Sequence, residues 1–524
     1  MYKEIIAHKI EKWQRRKSRK LNQEWLEAAL ILMNIELEQV SKELENYYSP
    51  EPRGRKPYNA VCMLRALLLM VILQYEKIGK FAKDMKANPR LAQIAGFEAN
   101  QTPATSTFYL FIDRLEDGEY QKKCEHRKKP SELRKKKAIR NLKVEKEQKE
   151  ERKKEIEKQS DSITKHLKKE LLEKESQGRP KDLQKLVEDI LMKVAIKQSA
   201  ERGLLGDLSK MKVCGDGSAL ESGANCEGRP TCKCRSKGIY KCDHDRTYTD
   251  RTANWGWDSY RDCYYFGHTF YQHCVSSNGH DLPIHITIGQ ASETDFTLSM
   301  KSLDRMLKMF KENDFCARIY SMGYDAGHDG LGIYQYLIAK DIKPVIALNA
   351  RTNQLPKPTG TAKVVDSKGI PLCDAGLEMR HNGKRSDGRI YFNCPVKRPT
   401  HKDNKTVFKS YPNQCPLGVL CQPDSLTGPV VYIRSKEDIR FYPDISRGSS
   451  EYKQLMNLRS GCERSNSSKK CTYNLAKRPC RSSTHFLVRL YLISIVEHAK
   501  SWLAQDKKIF GNDWQSLIQP ILAA

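Results

Sequence analysis

Val213-Cys-Gly-Asp-Gly-Ser218 is a short strand-like segment that carries an acidic residue, Asp216, and it begins the region in which strands and helices alternate. Beyond it, the apolar patterns predict four further strands and two helices. The strands are Tyr264–Ser276, Leu282–Gly289, Arg318–Tyr324 and Lys343–Leu348, and the helices are Phe296–Phe310 and Ile333–Ala339. Three meandering strands followed by helix, strand, helix and strand predict a mixed sheet flanked by helices, an α/β (mixed α+β) fold.

The alternation stops after the fifth strand, where the chain becomes rich in Gly, Pro and Asn. This stretch holds only short strand candidates, Gly388–Asn393 and Pro429–Arg434, which predicts a β-rich insertion. Helical character returns at Ser450–Leu458 and His485–Gln505. The predicted boundaries are 201–349 and 449–524 for the two parts of the mixed domain and 350–448 for the insertion.

The N-terminal part of the chain has a different character. Residues 1–120 show helical spacing of apolar residues, and the turn Thr102-Pro-Ala-Thr-Ser-Thr107 is a typical start for a helix over Phe108–Leu115. Short helices joined by such turns predict an all-helical domain with a helix-turn-helix that contacts DNA. A helical bundle without DNA contact is the alternative.

A highly charged segment follows this helical region. Residues 121–180 contain 22 Lys or Arg against 12 Asp or Glu, with few apolar residues. This composition favours a solvated helix or linker over a core-forming domain. We therefore expect a charged helical linker over residues 121–200.

The composition narrows the class of partner. The 524 residues carry a formal net charge of +28, which indicates a polyanionic partner, and nucleic acid is favoured over a membrane. The longest apolar stretch, Leu64–Leu73, is too short to span a bilayer, and the first residues lack the apolar core of a secretory signal. Seventeen cysteines without an export signal predict reduced or metal-bound thiols. We expect a cytoplasmic protein with access to nucleic acid.

Three acidic residues carry the predicted chemistry. Asp216 lies on the first predicted strand, Asp325 follows the fourth, and Glu463 lies in a predicted helix after the insertion. Carboxylate oxygens are the ligands that hard divalent cations prefer, and paired cations can clamp both oxygens of a phosphodiester under cleavage. These residues therefore predict a metal-dependent nuclease-like enzyme.

The order and flanks of the three acids resemble the DDE transposases of the bacterial insertion-sequence type. Arg459, Glu463 and Lys470 keep the R-x3-E-x6-K spacing of one branch of that family, while Met456 stands where the branch has Tyr. Asp325-Ala-Gly-His-Asp329 is similar to the element around the family's second Asp, of which the first Asp is the ligand. The resemblance covers about residues 205–505.

The resemblance implies a ribonuclease-H-like catalytic domain in which the three acids meet. Asp216, Asp325 and Glu463 would hold Mg²⁺ (or Mn²⁺), and the protein would cut transposon ends and transfer the freed 3′-hydroxyl into target DNA. Arg459 and Lys470 would grip DNA phosphates. The same resemblance implies a homodimer in the DNA complex and a bacterial protein associated with the nucleoid.

The cysteines predict a second kind of site. Four thiols and one imidazole fall within 19 residues and suit structural zinc, with reduced loop thiols as the alternative. The candidate ligands are Cys226, Cys232, Cys234, Cys242 and His244. A further cluster, formed by Cys373, Cys394, Cys415 and Cys421, is a weaker hypothesis.

Two other functions stay open at the level of sequence. One is a metal-dependent DNA nuclease or resolvase that uses the same carboxylates without strand transfer. The other is a non-catalytic, zinc-containing DNA-binding protein derived from a transposase.

Overall fold

The computed structural model describes residues 2–15, 20–48, 56–116, 126–127, 161–240, 242–349, 355–402, 405–477 and 479–523. Residues 121–125 and 128–160 of the predicted charged linker lie outside these ranges. No helix in the described part of the chain is long and apolar enough to span a bilayer.

The described residues 2–116 form helices joined by turns and irregular segments, without a strand. The helices are α1 (Tyr2–Arg15), α2 (Gln23–Met33), α3 (Ser41–Glu45), α4 (Ala60–Ile72), α5 (Ile78–Ala87), α6 (Pro89–Ile94) and α7 (Thr105–Arg114). Helix α4 begins where the Asn59 side chain accepts a hydrogen bond from the Cys62 amide at 3.0 Å. Almost all of α4 is buried, and its apolar residues join the core of the rest of the molecule. The prediction that this region contacts DNA stays a prediction.

The end of the segment predicted as a charged linker belongs to the folded core. Residues 161–173 form helix α8, and α9 (Leu183–Leu191) continues through a π-helical turn, Met192–Ile196, into α10 (Lys197–Glu201). Leu and Val recur at helical spacing in α9 and are buried. Its Glu188 is also fully buried, where Arg179 Nη1 donates to Oε2 at 2.7 Å. This apolar face was not identified from the sequence, because the residues before it are highly charged.

The central sheet contains six strands, β1 (Met211–Glu221), β2 (Asn254–Asp258), β3 (Cys263–Ser277), β4 (His280–Gln290), β5 (Ile319–Tyr324) and β6 (Lys343–Ile346). The long strand β3 pairs antiparallel with β1, β2 and β4. Strand β5 runs parallel to β1, and β6 runs parallel to β5. Parallel neighbours need crossover connections, which α11 (Asp295–Glu312) and α12 (Leu331–Ala339) supply. The mixed sheet expected from the sequence is present.

The insertion follows β6 and has its own small core. Its strands are β7 (Arg380–Lys384), β8 (Arg389–Asn393), β9 (Lys397–Lys402), β10 (Lys405–Ser410) and β11 (Val430–Arg434). Strands β7, β8 and β11 form one sheet, and β9 and β10 form a hairpin. Seven buried residues make the core, namely Ile370, Met379, Ile390, Phe392, Ile433, Phe441 and Tyr442.

The chain returns from the insertion to the central sheet through α13 (Ser450–Leu458), α14 (Ser460–Ser467), α15 (Ser483–Phe510) and α16 (Trp514–Ala523). Helix α14 packs on β1, β3 and β4, whereas α15 packs on β4, α4 and α2. The insertion thus separates β6 from α14 in sequence, while packing places α14 against β1. This arrangement positions the acidic residues described next.

Candidate active site

Asp216 lies near the middle of β1, between two glycines. A Cβ at Gly215 would come within 2.6 Å of the Tyr324 ring, and a Cβ at Gly217 within 2.5 Å of Asp295 Oδ1. Real Cβ atoms do not make such contacts, so the space behind the strand is filled at both positions. The Gly-Asp-Gly sequence therefore lets a ring and a second carboxylate pack against the strand that carries Asp216.

Asp325 lies where β5 ends and is held by its own following turn. Its Oδ1 accepts hydrogen bonds from the Gly327 amide at 3.0 Å and from His328 Nδ1 at 2.5 Å. The buried His328 ring is fixed by a 2.9 Å hydrogen bond between its Nε2 and the Tyr271 hydroxyl and by stacking on Tyr324. The second acidic residue thus has an oriented histidine behind it, as carboxylates at metal sites often have a hydrogen-bonded partner.

Glu463 lies on α14, the helix that packs on β1. Asn466, one turn later, donates from Nδ2 to Asp216 Oδ2 at 2.8 Å. Arg459, one turn earlier, forms a 2.8 Å ion pair between its Nη2 and Glu463 Oε1. Residues three and four positions apart share a helix face, so Glu463 lies on the same face of α14 as the amide that reaches Asp216.

The pKa values of Asp216 and Asp325 show that these two carboxyl groups share one electrostatic environment. Burial, followed by the charge of Asp325, raises the pKa of Asp216 to about 6, although the hydrogen bond from Asn466 opposes the rise. Burial alone would also raise the pKa of Asp325, but the hydrogen bond from His328 and the charge of Arg459 keep it below its usual range. Negative charge is therefore crowded around Asp216.

The guanidinium of Arg459 interacts electrostatically with all three acids. Burial works to lower the pKa of its guanidinium, but Glu463, Asp216 and Asp325 together raise it. One guanidinium therefore lies within electrostatic reach of three carboxylates, which come from a strand, a strand end and a helix.

The donor set fits a hard divalent cation. All three predicted ligands offer carboxylate oxygens, and two buried amide oxygens near Asp216, Asn466 Oδ1 and Gln272 Oε1, have no hydrogen-bond partner among the described residues. Gln272 stands opposite Asp216 in the β1–β3 ladder. The ligand oxygens of Asp216, Asp325 and Glu463 do not all lie within 4.8 Å of one another. In the described part of the chain, the group that meets this criterion is a different set of residues.

Sequence reasoning missed Asp295, a fourth carboxylate beside the site. Asp295 begins α11, and its residue is largely exposed, but its carboxyl group lies against Gly217. Desolvation of that group and, after an opposing effect of His328, the charge of Asp325 raise its pKa. An acidic residue at the start of a helix is common, so the sequence offered no signal beyond an ordinary helix start.

Met456 lies in α13, before α14, and Lys470 follows α14. Lys470 lies in a π-helical turn, Ser468–Thr472, and burial lowers its pKa while Asp258 and Asp216 act in the opposite direction. Met456 packs against an apolar cluster that includes Val345. The position that carries Tyr in the similar transposases is therefore a packing position here.

Asp329, the second acidic residue of Asp325-Ala-Gly-His-Asp329, has a structural role. Its buried side chain accepts two hydrogen bonds from Arg440, at 2.9 and 2.8 Å, and one from the Asn349 amide at 2.8 Å. Asn349 precedes the insertion and Arg440 lies near its end. Asp329 therefore ties both ends of the insertion to the sheet.

The predicted zinc ligands lie on the excursion between β1 and β2. The ligand atoms of Cys232, Cys234, Cys242 and His244 all lie within 4.8 Å of one another, with 3.5 Å between Cys232 Sγ and Cys242 Sγ. Among the described residues from 229 to 245, none is buried, so few apolar contacts hold this excursion. Three thiols and one imidazole in this arrangement suit tetrahedral Zn²⁺.

Cys226 is outside this four-residue group. It packs instead, partly buried, against the apolar cluster of Tyr248, Ala253 and Phe266. The structure thus brings four of the five candidate zinc ligands together.

Two family models match the chain. A model described as a transposase domain matches residues 17–114, and a model described as a transposase DDE domain matches residues 198–496, more than half of the chain. Asp216, Asp325 and Glu463 all fall within the second match. No curated protein matches the chain.

Proposed function

Because the chain belongs to the transposase DDE domain family, whose function is DNA transposition, we propose that it cuts the ends of a mobile element and transfers them to target DNA by metal-dependent chemistry. The predicted family and the ribonuclease-H-like α/β fold class are confirmed by this membership together with the mixed sheet. The cleavage and strand-transfer steps are the proposal.

The convergence of the three carboxylates on Arg459 is the observation that carries this proposal. Asp216, Asp325 and Glu463 lie on three elements, and more than a hundred residues separate each acid from the next. If Arg459 formed only a structural ion pair, one carboxylate would be enough to pair with it. Burial, followed by the charge of Asp325, raises the pKa of Asp216 to about 6; ionising this group therefore costs stability, and a bound cation would relieve that cost.

Each residue of the site has a proposed role. Asp216, Asp325 and Glu463 would hold the ions, which when bound supply activation of a water and stabilisation of the leaving oxygen. His328 orients the Asp325 carboxylate through its 2.5 Å hydrogen bond. Arg459 neutralises Glu463 before DNA arrives and then becomes available, with Lys470, for DNA phosphates.

The decisive experiment uses DNA made from the inverted repeats that flank the reading frame. Full-length protein with Mg²⁺ should nick these ends, and a pre-cleaved end with a 3′-hydroxyl should join to plasmid DNA, whereas a 3′-deoxy end should not. Asp216→Asn and Glu463→Gln should lose both activities by at least about 10³-fold, as expected when an electrostatic contribution of several kcal/mol is removed. Asp314→Asn, an exposed substitution after α11, is the matched control.

The outcomes distinguish the alternatives. Nicking without joining would favour a nuclease or resolvase. Specific DNA binding without either activity would favour a non-catalytic derivative. Nicking that persists at wild-type rate in Asp216→Asn would refute the proposed site.

We also propose that Cys232, Cys234, Cys242 and His244 hold a structural Zn²⁺. One zinc per chain should be lost in Cys232→Ser, and unchanged zinc content would contradict this assignment. A homodimer should form when two DNA ends are bound, and light scattering of the complex measures its stoichiometry.

A further inference from the structure

Four cysteines of the insertion line one cavity although they are far apart in sequence. Cys373 follows a β-bridge, Cys394 follows β8, and Cys415 and Cys421 lie in the loop after β10. All four residues line a cavity with a volume of about 270 Å³. None of them forms a disulfide bond. The cavity lies in the insertion, apart from both the carboxylate site and the thiol group around Cys232.

The loop that carries two of these cysteines has little else to hold it. None of the residues from 411 to 427 is buried, and Leu417, Val419 and Leu426 are exposed apolar residues. The small apolar core of the insertion contacts Cys373 but includes no residue of this loop. A loop of this length without buried apolar residues needs another source of stability.

One buried lysine provides the main polar contact with the loop. Lys397 Nζ donates to the carbonyl oxygens of Gln422 at 2.9 Å and Pro423 at 3.0 Å, and also to that of Ser425. These bonds fix the backbone just after Cys421. They hold the loop over the cavity but do not fill the cavity.

Two of the four cysteines, Cys373 and Cys415, begin similar turns. In Cys373-Asp-Ala-Gly376, the glycine amide donates to the Cys373 carbonyl at 2.8 Å, and in Cys415-Pro-Leu-Gly418 the equivalent bond is 2.9 Å. Both glycines have positive φ, at 74° and 69°.

We propose that Cys373, Cys394, Cys415 and Cys421 bind one Zn²⁺ ion, which staples the loop after β10 to the insertion. Four thiolates are soft ligands that suit tetrahedral zinc, and each thiol loses its proton to solvent as its Zn–S bond forms. The four sulfur atoms do not all lie within 4.8 Å of one another, so the exposed loop must move inward on binding. The inference stands independently of the catalytic proposal.

Metal analysis of the full-length protein provides the first test. Zinc per chain should fall by one in the Cys394→Ser/Cys415→Ser double variant, whether or not Cys232→Ser removes another ion. The exposed Cys316, remote in sequence from both clusters, provides the matched control Cys316→Ser, which should keep the wild-type content. Unchanged zinc in the double variant would overturn the proposal.

A second measurement needs no variant and therefore does not depend on a variant folding. In native wild-type protein, iodoacetamide should label Cys316 at least about tenfold faster than the four cysteines, and a chelator should remove their protection. Peptide mass spectrometry reads each site separately. Labelling of the four at the rate of Cys316 before chelation, or recovery of disulfide-linked peptides among them, would refute a zinc site.

Discussion

Replacing Asp216 with Asn should make the metal-free protein more stable while abolishing its activity. The carboxylate of Asp216 is partly buried beside Asp325 and Asp295, which raises its pKa from 3.8 to about 6. In the unfolded chain the same group is surrounded by water. Ionising Asp216 therefore costs the folded state free energy, and a neutral amide of the same shape removes that cost while still accepting the hydrogen bond from Asn466.

The sign and size of the effect follow from linkage. Since the folded-state pKa is raised, the folded protein binds more protons than the unfolded chain between about pH 4 and 6, and wild-type stability falls as pH rises through that window. The rise in the pKa of Asp216 from 3.8 to about 6 corresponds to about 3 kcal/mol in the free energy of unfolding. Asp216→Asn should therefore gain up to about 3 kcal/mol at pH 7.5 but only about 1 kcal/mol at pH 4.5.

The assay is thermal unfolding in EDTA at both pH values. The unfolding entropy of a chain of this size makes 1 kcal/mol worth about 1 °C, so the expected rise in Tm at pH 7.5 is about 2–3 °C. Mg²⁺ at ten times its Kd should stabilise wild type by about 1.4 kcal/mol and the variant by much less.

Two results would refute this reasoning. A variant no more stable than wild type at pH 7.5 would mean that the carboxylates do not crowd one another. Equal stabilisation of both proteins by Mg²⁺ would mean that Asp216 is not a ligand. The exposed substitution Asp314→Asn controls for the loss of one negative charge and should leave Tm unchanged.

Three further substitutions test other parts of the structure. Gly217→Ala places a methyl group 2.5 Å from Asp295 Oδ1, and the resulting displacement of the strand by a fraction of an ångström or more should lower DNA cleavage by roughly 10–100-fold, with binding little changed. Lys470→Ala should weaken DNA binding similarly for all sequences and reduce the slope of log K against log salt by about 1, as titrated by fluorescence anisotropy. Arg440→Met leaves the buried Asp329 carboxylate without its main partner and should cost about 3–5 kcal/mol in urea unfolding, with a wild-type unfolding curve as the contrary result.

Much of the fold and the family of this protein could be predicted from its sequence. Alternation predicted the strands around Asp216 and Asp325 to within a few residues, because a buried strand needs a run of apolar side chains wherever it lies. The order of the three acids and the spacing of Arg459 and Lys470 around Glu463 were sufficient to recognise the family. Both kinds of signal are local or depend only on order along the chain.

Other features depended on contacts between residues distant in sequence. Helix α9 was predicted to be part of a charged linker. The spacing of its apolar residues indicates a helix with an apolar face, but it does not show whether that face packs against a core. Asp295 and Asn466 are unremarkable acidic and amide residues until β1 passes beside them. The four insertion cysteines likewise share a cavity only after the loop folds back over β8.

The sequence by itself determined the order of elements and the family, and it predicted the three acids. Only the tertiary structure decided which further groups meet those acids, that Asp329 ties the insertion in place, and that the four insertion cysteines line one cavity. The physical reason is that secondary structure follows from short-range patterns of side chains, whereas electrostatic crowding and metal-ligand geometry depend on distances across the fold.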